Sequence, residues 1–177
     1  GLWGRKEDGE RFRLSYPDLS PVRKLLSKIP LFCRILRLEP RTGVFLDGSR
    51  AIVSLAGYAY LVDLAARTVT REHAFRAGMN NPLAFTRVRK IPGFEDCLLY
   101  GDYIGEGGME KVRIVRRAED GVWSTAYEFS RGEIKHIHNI VPSPERGSLL
   151  VFTGDSDRES AVYECRDEFR SVTRLCG

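Results

Sequence analysis

The sequence predicts an all-β fold built from repeated four-stranded units. Beyond residue 31 the chain consists of short apolar segments separated by Gly, Pro, Asp and Asn, the pattern of strands joined by turns. These segments fall into three successive sets of four, with Gly57, Gly101 or Gly154 at the end of the second segment. Four strands in roughly 40–50 residues match one propeller blade. We therefore predict a partial β-propeller of about three four-stranded blades, preceded by a short amphipathic helix.

Residues 1–31 are predicted to form an N-terminal arm and one short helix. Residues 1–19 are polar and show little periodicity, which indicates irregular structure. Ser20 can cap a helix and Pro21 suits its first position, and the apolar residues that follow recur at helical spacing. Pro30 is expected to end the helix, because its ring cannot be accommodated inside one.

Residues 32–177 are predicted to form the blades, with approximate bounds 33–77, 83–130 and 133–177. The first strand of the first blade is expected over residues 33–38. Propellers close with four or more blades, so three blades would leave two apolar sheet faces uncovered. We therefore expect the ring to be completed by missing blades or by self-association.

Charge and composition exclude several classes of protein. The net charge is +4, but 28 basic residues are interleaved with 24 acidic ones, so nucleic acid is not an expected partner. No run of about 18 apolar residues is present, so we expect no membrane span, and the lack of an apolar leader predicts a cytoplasmic location. The cysteines have no metal-binding spacing and are expected to be buried thiols: Cys33, Cys97, Cys165 and Cys176.

Several segments resemble propellers of the sialidase-like, or Asp-box (BNR repeat), family. The turn Ala-Glu-Asp-Gly-Val-Trp retains Asp120, Gly121 and Trp123 of the Asp-box but lacks its Ser and Thr. The other matching segments are Ile-Lys-His-Ile-His-Asn-Ile-Val-Pro-Ser-Pro (134–144), Leu-Leu-Val-Phe-Thr-Gly-Asp-Ser-Asp (149–157) and residues 93–106. The resemblance covers about residues 30–177. It implies a glycosyl hydrolase-like propeller that binds a carbohydrate or similar polar ligand at the blade rim.

The resemblance does not extend to the residues that carry catalysis. Sialidases of this kind use an arginine triad, a Tyr–Glu nucleophile pair and an Asp as the acid, and neither the arginine triad nor the Tyr–Glu pair can be placed in the sequence. Whether the chain is an enzyme is therefore left open, with a glycoside hydrolase-like activity if it is one. The alternative is a non-catalytic scaffold for protein interactions.

His136 and His138 are the most distinctive candidates for a site. They lie two apart on a predicted strand, so their side chains share one face. Such a pair can bind a metal ion, with Asp155 or Asp157 as a third ligand. We instead expect structural hydrogen bonds at the inner edge of the blade, and predict neither a bound metal nor a cofactor.

Asp102 and Asp155 each follow a repeat glycine directly. Carboxylates at strand ends can perform acid–base chemistry, but Asp in such a place more often caps its own turn, and this is what we expect. Asp120-Gly121 predicts a hairpin turn, and Trp123 a packing anchor between blades. The candidate ligand-binding residues are His136, His138, Asn139, Asp102, Tyr103, Asp155 and Asp157.

Overall fold

The chain folds mainly into antiparallel β-structure, as the sequence predicts. The computed structural model describes residues 2–5, 9–14, 20–26, 29–35, 40–104, 111–155 and 159–177. The chain divides into two compact units, Gly1–Phe75 and Arg76–Gly177. This division falls inside residues 32–177, which the sequence analysis treats as one continuous region of blades.

The first unit begins with a hairpin where the sequence predicts an irregular arm. Strands β1 (Leu2–Arg5) and β2 (Arg11–Leu14) pair antiparallel. The alternation Arg-Phe-Arg-Leu in β2 is a strand pattern, but four residues are too few to distinguish it from an irregular segment.

Two six-residue helices follow, α1 (Pro21–Leu26) and α2 (Pro30–Ile35). The first is the predicted helix. The second includes the beginning of the strand predicted over residues 33–38, so that prediction is wrong where the structure describes these residues. Pro30 begins a helix here, because a missing amide hydrogen costs nothing at a first helical position and the fixed φ of proline suits it.

Large apolar side chains in this helical region are exposed. Leu26 packs against the buried Leu55 and Tyr60, which gives α1 a contact with the rest of its unit. Six others are between 39% and 65% exposed: Val22, Leu25, Ile29, Leu31, Phe32 and Ile35. In the part of the chain that the structure describes, no helix has both the length and the apolar character needed to cross a bilayer.

A four-stranded antiparallel meander, the first sheet, completes this unit. Ala56 and Gly57 connect its second and third strands, both with positive φ (49° and 89°), the conformation of a tight hairpin turn. Ile52, Leu55, Ala59 and Tyr60 are buried in its two central strands. Its strands are β3 (Gly43–Phe45), β4 (Arg50–Leu55), β5 (Tyr58–Asp63) and β6 (Thr68–Ala74).

The second unit contains two more four-stranded antiparallel sheets. The second sheet consists of β8 (Thr86–Val88), β9 (Cys97–Gly101), β11 (Val112–Ala118) and β12 (Trp123–Phe129). A separate short pair is formed by β7 (Met79–Asn80) and β10 (Tyr103–Ile104). The third sheet consists of β13 (Ile137–Ser143), β14 (Ser148–Thr153), β15 (Ala161–Arg166) and β16 (Ser171–Cys176).

One apolar core joins the second and third sheets. Phe129 of the second sheet meets Tyr163 of the third edge to face, with ring centroids 5.1 Å apart. The buried cluster draws side chains from both sheets, including Leu99, Ile114, Phe129, Ile137, Leu149, Val151 and Tyr163. Buried residues alternate with partly buried ones along β15, because successive side chains of a strand point to opposite faces of the sheet.

Gly101, at the end of β9, lies where the second and third sheets approach each other closely. A Cβ atom at this position would collide with the side chain of Ile137, at the start of β13. The amide of Ile137 donates a hydrogen bond to the carbonyl of Asp102 (3.1 Å). The ends of β9 and β13 are thereby held side by side, and the chain that leaves them forms the candidate site.

The cysteines match the predicted buried thiols only in part. Cys97 is half-buried and Cys165 is buried, and burial raises the pKa of both thiols to about 12, so both stay protonated at neutral pH. Cys176 is exposed, contrary to expectation, because it lies at the end of the outer strand β16. The side chain of Cys33 lies outside the described residues.

Candidate functional site

The candidate site lies where β13 begins and β14 ends. His136 immediately precedes β13, and Gly154 and Asp155 follow β14. The amide of Gly154 donates to the carbonyl of His136 (3.2 Å), which continues the pairing of the two strands beyond their ends. The hairpin formed by β13 and β14 therefore places Asp155 next to the histidines.

An irregularity in β13 directs His138 to the same place. Ile137 pairs with Thr153 and Asn139 with Phe152, so the register shifts and His138 has no opposite residue in the ladder. Such bulges re-aim side chains and are common beside functional sites. The sequence predicts a common face for His136 and His138 from plain alternation, whereas their convergence is built on a bulge.

Three side chains meet at this position. The Nε2 atoms of His136 and His138 are 2.9 Å apart. Asp155 lies between them, with Oδ2 at 3.1 Å from Nε2 of His136 and Oδ1 at 2.8 Å from Nε2 of His138. These residues form the cluster of His136, His138 and Asp155, which we call the His-His-Asp cluster.

The cluster is anchored inside the protein and open on one side. His136 is 1% exposed, whereas the side chains of His138 and Asp155 are 38% and 51% exposed. Nδ1 of His136 lies 3.2 Å from the carbonyl oxygen of Ile104. Because a carbonyl can only accept, Nδ1 must carry the hydrogen, and this fixes the orientation of the ring.

Tyr103 forms one wall of the cluster. Its ring centroid is 4.6 Å from that of His136 and 6.4 Å from that of His138. The ring is held by β10, which pairs with β7. An aromatic face, two imidazoles and a carboxylate thus surround one partly open position.

The charge state of Asp155 follows from its neighbours. Partial desolvation acts to raise its pKa, but the attraction to His136 and His138 in their protonated forms, and the hydrogen bonds these rings then donate, together outweigh that effect. The net result is a pKa below the usual value for Asp. Asp155 therefore carries a negative charge at neutral pH.

Asp102 occupies the equivalent place after β9 but has a different environment. Its side chain is 1% exposed and its Oδ2 lies 2.9 Å from Nε of Arg113 and 4.0 Å from Nε of Arg76. The amide of Arg113 also donates to it (3.2 Å). Asp102 is thus held in a buried ion pair, a role that neither turn capping nor acid–base chemistry anticipates.

The remaining candidates lie apart from the cluster or outside the described residues. Asn139 is exposed and its side-chain oxygen accepts from the amide of Ile140 (2.9 Å). Asp157 lies outside the described residues. The Asp120-Gly121 turn is present as predicted, with Asp120 accepting from the amide of Val122 (3.0 Å). Trp123 packs on Tyr100 of its own sheet, with ring centroids 5.8 Å apart.

Comparison with other proteins does not assign the chain to a family. No protein-family model, curated protein or solved structure matches the chain. The resemblance to Asp-box propellers therefore stays a prediction from the residues that carry it.

Two contacts at the site have no counterpart in the sequence analysis. The backbone carbonyl of Ile104 orients His136. Because every residue has a backbone carbonyl, the amino-acid sequence does not reveal which one accepts this hydrogen bond. Arg113 and Arg76 neutralise Asp102 and so remove it from the candidates. Arg113 is the second residue of β11. It gives no distinctive signal in the sequence, because arginines are common on strands.

Proposed function

We propose that this chain is part of a β-propeller, of Asp-box character, that binds a small polar ligand of the carbohydrate class at the His-His-Asp cluster. Binding without bond cleavage is the function we propose. Asp102, the other carboxylate that the sequence offered for acid–base chemistry, is occupied by Arg113. The observation that carries the proposal is the convergence of two imidazoles and a carboxylate beside an aromatic ring at one open position.

Support for a propeller comes from the sheets themselves. Each of the three larger sheets in the described residues is an antiparallel meander of four strands. The second and third sheets share one apolar core, which is how neighbouring blades bury their faces. Ligand sites in such folds form on the connections between strands, where the cluster lies.

Support for a polar ligand comes from the chemistry of the cluster. Asp155 can accept hydrogen bonds from hydroxyl groups, the imidazoles can donate or accept them, and Tyr103 offers an apolar ring face nearby. Binding sites commonly combine a few fixed polar groups with aromatic surface in this way. The half-exposed His138 and Asp155 leave these groups accessible to a ligand.

Asp155→Asn is expected to abolish most of this binding. A panel of neutral and acidic sugars is titrated into the protein while the ring proton signals of His136 and His138 are followed by NMR. At least one sugar should shift both rings, and the variant should bind it at least about tenfold more weakly, since a hydrogen bond to a charged group contributes about 1.5–3 kcal/mol.

Asp120→Asn is the matched control, because Asp120 also follows a strand and lies in a turn away from the cluster. It should bind like the unmodified protein. The proposal is wrong if no sugar shifts the two rings, or if both variants bind equally well.

Assembly is a second candidate function, favoured by the exposed apolar side chains of residues 22–35. Leu25, Leu31 and Ile35 are each more than 60% exposed, and such surface often marks a protein interface. We infer that a second copy of the chain covers it. In sedimentation experiments the chain should then have the mass of a dimer or larger particle.

Leu25→Asp is expected to shift that particle toward the monomer, because it would bury a charge in the interface. Val122→Asp is the matched control, since Val122 is 60% exposed at a hairpin turn. A monomer at every concentration tested would exclude this second candidate.

A further inference from the structure

The distances within the His-His-Asp cluster match those between the ligands of a metal ion. With metal–ligand bonds of about 2.1 Å, neighbouring ligand atoms lie about 3.4 Å apart in a tetrahedral site and about 3.0 Å apart in an octahedral one. The three atom pairs measured here are separated by 2.8, 2.9 and 3.1 Å. One ion can therefore contact all three residues at adjacent coordination positions with little movement of the side chains.

The hydrogen bond of His136 prepares its other nitrogen for a cation. With the hydrogen on Nδ1, directed at the carbonyl of Ile104, a neutral ring presents a lone pair at Nε2. That lone pair faces the carboxylate of Asp155 at 3.1 Å, and two electron-rich atoms at this distance repel each other. A cation between them removes the repulsion. Metal-binding histidines characteristically donate their second N–H to a carbonyl or carboxylate, as His136 does.

An additional proton on His136 would relieve the same repulsion without a metal. The position of His138 favours the metal, because its Nε2 is also directed at the common centre, 2.9 Å from Nε2 of His136. Three side chains that all direct a donor atom at one point are better satisfied by one ion than by one proton, which joins only two atoms.

We propose that His136, His138 and Asp155 bind a divalent first-row transition-metal ion of the Zn²⁺ class. Two imidazoles and one carboxylate suit such ions, and the exposed side of the cluster leaves further coordination positions for water or a ligand. The inference deepens the proposed function and rests on it for the polar ligand, whose hydroxyl or carboxylate oxygens would complete the coordination. Asp155 supplies a negative charge, so the bound site carries a single net positive charge.

The test measures Zn²⁺ binding to the full 177-residue chain after treatment with EDTA, by isothermal titration calorimetry. We expect one ion per chain, and a loss of affinity of at least about tenfold in His138→Ala and in Asp155→Asn. Both residues are partly exposed, so these variants should fold, which circular dichroism can verify. His136→Ala is avoided as the main variant because His136 is buried.

His73→Ala is the matched control, because His73 is the remaining histidine and lies on β6, in the first unit. It should bind Zn²⁺ like the unmodified chain. Co²⁺ gives an independent readout, since its visible absorption bands change when nitrogen ligands replace water. These bands should be lost in His138→Ala and kept in His73→Ala.

Two results would overturn the proposal. In one, the chain binds neither Zn²⁺ nor Co²⁺, so a proton accounts for the cluster. In the other, binding survives in both His138→Ala and Asp155→Asn, so the ion is held by other groups, such as the exposed Cys176. Sugar titration separates this inference from the proposed function. If the histidine rings respond to a sugar but no metal binds, the metal site is wrong and the polar ligand stands. If metal binds but no sugar causes a response, the polar ligand is wrong and the metal site stands.

Discussion

Gly154→Ala is expected to lower the free energy of unfolding by about 3 kcal/mol, because it combines backbone strain with a steric collision. Gly154 has a φ of 74°, which disfavours any residue with a Cβ atom. An alanine Cβ would also collide with the backbone of Glu159 and Ser160 in the connection to β15. Backbone cannot move aside as the end of a flexible side chain can.

Gly57→Ala separates the two contributions. Gly57 has a φ of 89° but nothing within 4 Å of the added carbon, so only strain of about 1 kcal/mol is expected. Urea unfolding followed by circular dichroism measures both variants. Equal losses of stability at the two glycines would show that the close approach at Gly154 has no energetic effect.

Gly154→Ala should weaken ligand or metal binding as well. Its amide holds the carbonyl of His136, and the next residue is Asp155. A displacement of this turn therefore moves one member of the His-His-Asp cluster relative to another. Gly57 lies on a different sheet, in the first unit, and its variant should leave binding unchanged.

Asp102→Asn is expected to destabilise the protein by about 3 kcal/mol, since removing one partner of a buried ion pair leaves the other without compensation. The side chain of Arg113 is only 23% exposed, and its guanidinium would lose the negative charge of the carboxylate that lies 2.9 Å away. Arg76, whose Nε lies 4.0 Å from the same carboxylate, would lose this attraction and keep its hydrogen bond to the carbonyl of Lys111 (2.7 Å). Thermal or urea unfolding measures the loss.

Glu95→Gln is the control for this prediction. Glu95 also pairs with an arginine of the second sheet, Arg116 at 3.5 Å, but its side chain is 80% exposed, and Arg116 keeps Glu168 at 2.9 Å. Such exposed pairs contribute little to stability, so the control should unfold like the unmodified protein. Should Asp102→Asn be as stable as Glu95→Gln, the buried ion pair would have no structural role.

Strands of the second and third sheets could be predicted from the sequence, because the strand pattern and the turn residues that bound it indicate the same hairpins. In the second sheet the predicted Asp120-Gly121 turn is the one observed, and it precedes β12 (Trp123–Phe129). In the third sheet the predicted glycine, Gly154, directly follows the second strand, β14 (Ser148–Thr153). Apolar segments bounded by turn residues leave few alternatives to a hairpin.

The start of the chain could not be predicted in the same way. Residues 33–35 belong to α2, although the short segment 33–38, in which apolar residues alternate with arginine in part, is also compatible with a strand. Its helical state depends on Pro30 as a first residue rather than as a breaker, and one proline can have either role. Deciding between these two roles of Pro30 requires the three-dimensional positions of the surrounding residues.

The site was predictable in its residues but not in its geometry. Two histidines on one strand face follow from alternation, and Asp155 was one of two possible third ligands. The bulge at His138 and the carbonyl of Ile104 are properties of the backbone, which side-chain letters do not encode. Asp102 and Asp155 show the same limit, because identical Gly-Asp pairs acquired different partners from distant parts of the chain.

The two Gly-Asp pairs follow the second strands of two four-stranded sheets and have different roles. After the second strand of the second sheet the aspartate neutralises Arg113 inside the protein, whereas after that of the third sheet it is half-exposed beside two histidines. One aspartate therefore stabilises the fold, while the other is left accessible to a ligand. Grafting the histidines of the third sheet onto the second would not transfer the site, because its aspartate is already committed.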